Sequence, residues 1–313
     1  MINKRSKIYI AGHNGMVGSS IYRNLKLIGY NNLIGLSSKE LDLRNQKNVD
    51  DFIEGELPDV IINCAGKVGG ILANNSLPYQ FLLENLQIQN NLISSSVKHN
   101  VKKFIFLGSS CIYPPKAQQP FKETDLLSNY LEPTNEGYAI AKISAIKLCQ
   151  AISNQFNKDY VSLIPSNLYG INDHFDLSHS HVLQALVRKF NDAVENDDKF
   201  VTLWGNGSAI REFTFVDDVA RAVIFAIENI LPESLYNIGS GDEISIKELA
   251  IKVQRITAFK GDIIWDETKP NGSARKLMDS SKINSLGWKH QVNLDDGLKK
   301  TYKWFLANKE KFN

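Results

Sequence analysis

The chain is poor in cysteine, with three among 313 residues. Cys64, Cys111 and Cys149 are too few and too scattered for a disulfide framework or a zinc site, so a reducing, cytoplasmic setting is expected. No run of about 20 apolar residues occurs, which excludes a membrane-spanning helix. The start, MINKRSKIYIAG, places basic residues before an apolar stretch. That stretch ends within a few residues in a glycine-rich turn, too short for the apolar core of a secretory signal. Charge of one sign is also missing: 36 basic and 34 acidic residues leave a net +2, so the total carries no nucleic-acid or membrane footprint. Internal repeats and low-complexity linkers are absent as well. What is present is a 43% apolar share, enough for a sizeable core in one large domain or two ordinary ones.

The first two-thirds alternate short apolar strands with amphipathic helices, the pattern of a parallel sheet covered on both faces. Strands are predicted at Lys7–Ala11, Asn32–Leu36, Val60–Cys64, Phe104–Gly108 and Val161–Pro165. Helices are predicted at Met16–Leu27, Pro78–Lys98 and Tyr138–Phe156, with Gly29 where a helix C-terminus needs positive φ. After residue 170 the pattern loosens. A helix at Val182–Glu195, a short strand with Trp204 and the segment Arg211–Val216 suggest a smaller, partly inserted region. Asp217–Asn229 has an acidic N-cap candidate and helical periodicity, and Ile246–Thr257 and Asp295–Asn308 are further helices. The expected class is α/β: a Rossmann-type doubly wound parallel sheet with a smaller C-terminal α/β substrate domain. The cofactor domain would span 1–170, completed by about 212–240. The substrate domain would be discontinuous, from 171–211 and 241–313.

Gly12, Gly15 and Gly18 follow the first strand as GxxGxxG. A tight turn there lets a pyrophosphate approach the backbone, and the helix N-terminus behind it offers free N–H groups and a positive dipole end. An NAD-specific site usually ends its second strand on Asp or Glu, which accepts a ribose hydroxyl. Here the strand runs into Ser37, Ser38 and Lys39, with no carboxylate before Glu40. Hydroxyls and an ammonium suit a 2′-phosphate better, so NADP is the expected cofactor; a solvated turn is the alternative reading of Lys39.

Tyr138 and Lys142 form YxxxK at a helix start, one turn apart and therefore on one face. An ammonium beside the phenol is expected to lower its pKa and suit it to proton exchange at a carbonyl. Ser109, just after the preceding strand, would complete a triad.

GSSCIYP (108–114), NEGYAIAK (135–142), SNLYG (166–170), SHV (180–182) and REFTFVDDVA (211–220) resemble the GDP-L-fucose synthase family of extended short-chain dehydrogenases. The likeness also takes in GHNGMVGS, KVGGILANN (67–75), PNGSARK and LGW, and so covers essentially the whole chain. That family reduces GDP-4-keto-6-deoxy-D-mannose with NADPH after inverting C3 and C5. The resemblance implies that Tyr138 protonates the C4 oxygen, Lys142 holds the cofactor ribose, and Ser109 hydrogen-bonds the keto oxygen. It makes Cys111 and His181 the pair that moves protons at C3 and C5. Such a pair is what the chemistry asks for, since one group must remove a proton and another return it on the opposite face; an activated thiolate and an imidazole fit. The implied cofactor cleft takes in Gly12, Asn14, Gly15, Met16, Val17, Gly18, Ser37, Ser38, Lys39, Leu107, Gly108, Lys142, Pro165, Asn167, Leu168 and His181. The implied substrate contacts are Lys189, Trp204, Arg211, Asn271 and Lys276, for a GDP-linked sugar whose diphosphate wants cations. A homodimer packing 78–98 and 138–156 is also implied.

Each of these has a plainer reading. A free cysteine is often a small buried hydrophobe, which is the expectation for Cys64 and Cys149. His174 and His179 share a polar loop with His181 but match no motif. Asn14 and Leu36 stand where the family commonly has arginines near the NADP phosphate. Asn271 stands where it usually has Asp, and loop 171–179 lacks an expected proline. A relative that only reduces C4, on a hexose or heptose epimerised elsewhere, is the alternative function. A non-catalytic dinucleotide sensor is disfavoured because Tyr138 and Lys142 are both present.

Overall fold

The computed structural model describes residues 2–176, 180–269 and 271–312. In chain order it begins β1 (Ile8–Ala11), α1 (Met16–Leu27), β2 (Leu33–Ile34), α2 (Gln46–Glu56), β3 (Val60–Asn63) and α3 (Ile71–Ser76). There follow α4 (Pro78–Lys98), β4 (Lys103–Leu107), α5 (Glu136–Phe156), β5 (Asp159–Pro165), β6 (Asn167–Tyr169) and α6 (Val182–Glu195). The chain continues through β7 (Phe200–Trp204), β8 (Ile210–Phe215), α7 (Val216–Glu228), β9 (Leu235–Ile238), β10 (Glu243–Ser245) and α8 (Ile246–Thr257). It ends with β11 (Asp262–Asp266), β12 (Arg275–Lys276), α9 (Ser281–Ser285) and α10 (Leu294–Asn308).

Six strands form one parallel sheet in the order β2-β1-β3-β4-β5-β9. Its strands alternate between two apolar cores, as a sheet buried on both faces requires. Tyr9, Ile61, Phe104, Phe106 and Tyr160 pack with α2, α4 and α5 on one face. Ile8, Ile10, Ile62, Ile105 and Leu163 pack with α1 and α7 on the other. The chain leaves β1 toward β2 and returns past it to β3, so the winding reverses between β1 and β3. Ligands of doubly wound sheets bind at such a reversal, beyond the strand C-termini.

A third core gathers α6, α8 and α10 around β7 and β8. There β8 pairs with β6, β10 and β12, and β7 pairs with β11. Segment 275–279 is stitched to the first lobe: Phe121 N donates to Leu277 O at 2.9 Å and Asp279 N to Phe121 O at 2.8 Å.

Two local expectations differ. The second strand is only Leu33–Ile34, an edge strand paired with β1 alone. Asp217 is not an N-cap; helix α7 starts one residue earlier with Phe215 at the cap, and Asp217 instead binds Arg23 Nη2 at 2.6 Å. Its neighbour Asp218 is fully buried and accepts Gln291 N at 2.6 Å and Val292 N at 3.1 Å. Asp218→Ala removes the acceptor of both half-buried N–H groups and the partner of Arg221 Nη2. It is expected to cost about 2–3 kcal/mol in urea unfolding; an unchanged midpoint would show that water replaces the carboxylate.

Candidate active site

The glycine-rich turn is shaped by contacts that no side chain could share. Gly12 has φ +81°, and a Cβ on it would lie 2.8 Å from Ala65 N, so the loops after β1 and β3 touch at the winding reversal. A Cβ on Gly18 would lie 2.2 Å from Gly12 O, so helix α1 rests directly on the turn. Gly15 caps α1 without a side-chain hydrogen bond, and the first turn carries no acid. Its N–H groups are thus available to an anion, with Met16 and Val17 beside them, and the turn fits a dinucleotide pyrophosphate. The Asn14 side chain is exposed, while its carbonyl accepts Asn172 Nδ2 at 2.8 Å. Around the end of β2, Ser37 N and Oγ both donate to Glu40 at 2.7 Å. Ser38 and Lys39 are exposed at this edge.

The sheet delivers the next groups. Strand β4 ends at Leu107, and a Cβ on Gly108 would lie 2.3 Å from Ile164 Cδ1. Ser109 then caps a short 3-10 turn, its Oγ accepting Cys111 N at 3.4 Å. Tyr138 and Lys142 lie in the first two turns of α5. Lys142 Nζ donates to Leu107 O at 2.9 Å and stands 5.7 Å from the Tyr138 ring centroid. Burial pushes Lys142 down to about 8, against the pull of Cys111 and Cys64. Tyr138 lies above the ordinary phenol range, contrary to the expected lowering: burial outweighs everything else, Cys111 adds to it, and only the hydrogen bond to Ser109 opposes it. Cys111, 8% exposed, is likewise raised by burial rather than activated, although Lys276, Ser109 and Lys142 pull it down.

From the second lobe come His181, at the cap of α6, and Lys276, in β12 beside Arg211 of β8. His181 keeps solvent access in the cleft, yet the surrounding protein lowers its pKa, chiefly by desolvation and then through Lys276. Lys276 is lowered by burial, with Cys111 opposing and Arg211 assisting. Lys276 therefore interacts electrostatically with both Cys111 and His181. Arg211, lowered by burial, donates to Ile210 O at 2.8 Å. Lys189 Nζ is held by Thr202 O at 3.0 Å. Trp204 is 53% exposed, and Asn271 Oδ1 accepts Asn206 N at 2.8 Å, fixing the turn after Trp204. Pro165 ends β5, Asn167 Nδ2 donates to Glu212 O at 2.8 Å, and Leu168 O accepts Gln184 Nε2 at 3.2 Å. His174 follows Asp173, which accepts its N–H at 2.8 Å. His179 lies outside the described residues. Cys149 is fully buried as expected, whereas Cys64 is only partly buried and interacts with Lys142.

One residue escaped sequence reasoning. Asn85, buried in α4, accepts Lys67 N at 3.0 Å and donates to Lys67 O at 3.1 Å, holding the loop that follows β3. A Cβ on Gly66 in that loop would lie 2.7 Å from Asn85 Oδ1 and 3.7 Å from Lys142 Nζ. The available signal was a polar residue at an interior position of an amphipathic helix. A cavity of about 290 Å³, lined by Phe213, Asp242 and Lys252 among others, includes none of the predicted site residues.

Residues 8–239 match the model of the NAD dependent epimerase/dehydratase family. The chain belongs to that family. Within it, GDP-L-fucose synthase 1 of Arabidopsis thaliana is 51% identical over 308 residues, covering 98% of this chain and 95% of that protein. GDP-L-fucose synthase of Escherichia coli (strain K12) is 44% identical over 317 residues, covering 98% and 99%. Among solved structures, the GDP-mannoheptose C4 reductase MlghC of Campylobacter jejuni with NADP bound superposes with a TM-score of 0.91 at 37% identity, covering 98% and 100%. Among the described residues no helix is long and apolar enough to cross a membrane.

The position of Lys276 yields a test. Its ammonium stabilises a thiolate and disfavours an imidazolium, so Lys276→Met is expected to move both neighbouring pKa values upward. The midpoint of pH-dependent Cys111 alkylation and the His181 NMR titration report this directly. If neither moves, the ammonium does not govern the pair.

Proposed function

We propose that this chain is an NADPH-dependent epimerase and reductase that converts GDP-4-keto-6-deoxy-D-mannose to GDP-L-fucose. The observation that carries the reading is Lys276: its charge acts on Cys111 and on His181 in the cleft that also holds Ser109, Tyr138 and Lys142. Groups suited to epimerisation and groups suited to reduction thus share one site.

C3 and C5 flank the C4 ketone, so their protons are acidic. In the free site the neutral forms of both side chains are favoured, a thiol and an imidazole, and the pair holds one transferable proton between them. One member takes a proton from the carbon, electron density moves onto the C4 oxygen, and the other member returns a proton on the opposite face. Hydrogen bonds from Tyr138 and Ser109 would stabilise that oxygen. For reduction, bound NADPH supplies the hydride to C4. Tyr138, kept protonated by its burial, delivers the proton to the C4 oxygen, and Lys142, still charged at neutral pH, favours the phenolate left behind. Arg211 offers a cation to the nucleotide diphosphate. The homodimer reading is supported by apolar side chains on the outer faces of the paired helices, Tyr79 of α4 and Ile140 and Leu148 of α5, which are 68%, 41% and 38% exposed.

A second reading is favoured by the 37% identical Campylobacter jejuni C4 reductase: reduction alone, of a GDP-4-keto sugar epimerised elsewhere. One reaction in D2O with NADPH and GDP-4-keto-6-deoxy-D-mannose separates the two. Two solvent deuterons in GDP-L-fucose are expected; a reduced product without deuterium would make the chain a dedicated reductase. Tyr138→Phe is expected to keep cofactor binding and lose about 100-fold or more in reduction, the contribution of a positioned acid. Near-normal NADPH oxidation would remove Tyr138 from that role.

A further inference from the structure

Residues 172–175 grip both lobes within four positions. Asn172 has φ +65°, the left-handed conformation that Asn tolerates better than most side chains. Its amide reaches the glycine-rich turn and the helix behind it, where Nδ2 donates to Asn14 O at 2.8 Å and to Ser19 Oγ at 3.2 Å. The next residue grips the other lobe: the Asp173 carboxylate accepts Gln184 Nε2 from the first turn of α6. Phe175, fully buried, then seats its ring among Trp304, Phe305 and Phe312 in the second-lobe core.

The middle grip is costly to hold. Asp173 is 8% exposed and Gln184 1%, and burial pushes the Asp173 carboxyl up to about 7. Gln184 Oε1 is buried with no hydrogen-bond partner among the described residues, so the amide gains only through Nε2. That nitrogen serves Asp173 and also Leu168 O at 3.2 Å. Interior polar groups persist where such bonds hold something in place. What this pair holds is the start of α6, because Gln184 stands one helical turn from His181, the cap residue whose carbonyl accepts Ala185 N at 3.0 Å.

We propose that Asn172 and Asp173 are positioning residues: they strap the cofactor turn to the first turn of α6 and so fix His181 relative to that turn. The inference rests on the role given to His181 above and on the fit of the turn to a dinucleotide. A displacement of about 1 Å can cost a reacting group about 100-fold in rate, so a strap between the lobes protects the proton transfer. Coupling between two sites is reciprocal, so loosening either grip is felt at the other.

The test is a double-variant cycle on the full chain, read by NADP+ calorimetry and by the NMR titration of His181, assigned through His181→Gln. Asn172→Gly keeps the left-handed backbone and removes the amide, while Gln184→Leu removes the second grip at similar volume. Gln184→Met takes its place if the leucine variant does not fold. Asn172→Gly is expected to raise the His181 midpoint by about 0.3 toward the ordinary imidazole value, as loosening rehydrates the ring. The bonds it removes lie in the first lobe, so this is a cross-effect. Gln184→Leu is expected to weaken NADP+ about 3-fold, the worth of one exposed hydrogen bond, although the bonds it removes lie in the second lobe. In the double variant the NADP+ loss should equal that of Asn172→Gly alone, since the strap is already cut. A missing cross-effect, or NADP+ losses that simply add, would mean two unrelated grips and would overturn the strap. If the unaltered chain binds no NADP+, the cofactor reading fails instead, and the His181 shift in Asn172→Gly alone decides the strap.

Discussion

The cleft depends on a carboxylate that faces no reacting group. Glu212 is fully buried in β8, and its two oxygens accept Gly241 N at 2.8 Å and Met278 N at 2.9 Å. Burial raises it to about 7 despite those donors. The space is so tight that a Cβ on Gly239 would lie 2.1 Å from Glu212 Oε1. Through Met278 this carboxylate holds β12 against β8, while Phe121 grips the same segment from the first lobe. Lys276 is therefore fixed by both lobes, and with it the charge that acts on Cys111 and His181.

Around that anchor the dominant force is dehydration. Burial raises Cys111 and Tyr138 and lowers Lys142, His181, Arg211 and Lys276. In every case the neutral form gains, and opposite charges resist only at Cys111, Lys142 and Lys276. A cleft of this kind holds its protons in reserve. A buried phenol that keeps its proton is a better donor for an oxyanion than one already half ionised, and a low dielectric magnifies each charge that forms during reaction.

Much of this was legible in the sequence because it rests on local rules. The strands announced themselves as short β-branched and aromatic runs, and α1, α4 and α6 end where they were expected. The turn at Gly12 followed from glycine spacing alone. What the pattern could not reveal was set by contacts distant in the chain. β6, β10 and β12 are two or three residues long and exist only through pairing with β8. The fold-back of Glu40 onto Ser37 and the cap of α7 are geometric choices between equally plausible neighbours. The pKa directions of Tyr138 and Cys111 went against expectation because sequence spacing reports a neighbouring charge but not how thoroughly both groups are dried. Asn85 was hidden for a related reason: its importance comes from one loop that closes on it.

The main sheet takes its sixth strand, β9, from beyond residue 234, after the chain has already visited the second lobe through α6 and β7. A ribosome must therefore release about three-quarters of the polypeptide before the edge of the first lobe can be closed. Until then β5 presents an open flank of unpaired amides and carbonyls, a template for illegitimate pairing. The two lobes are better regarded as one piece of cloth folded twice than as beads on a string, and a cut at any single point between them would leave both unfinished.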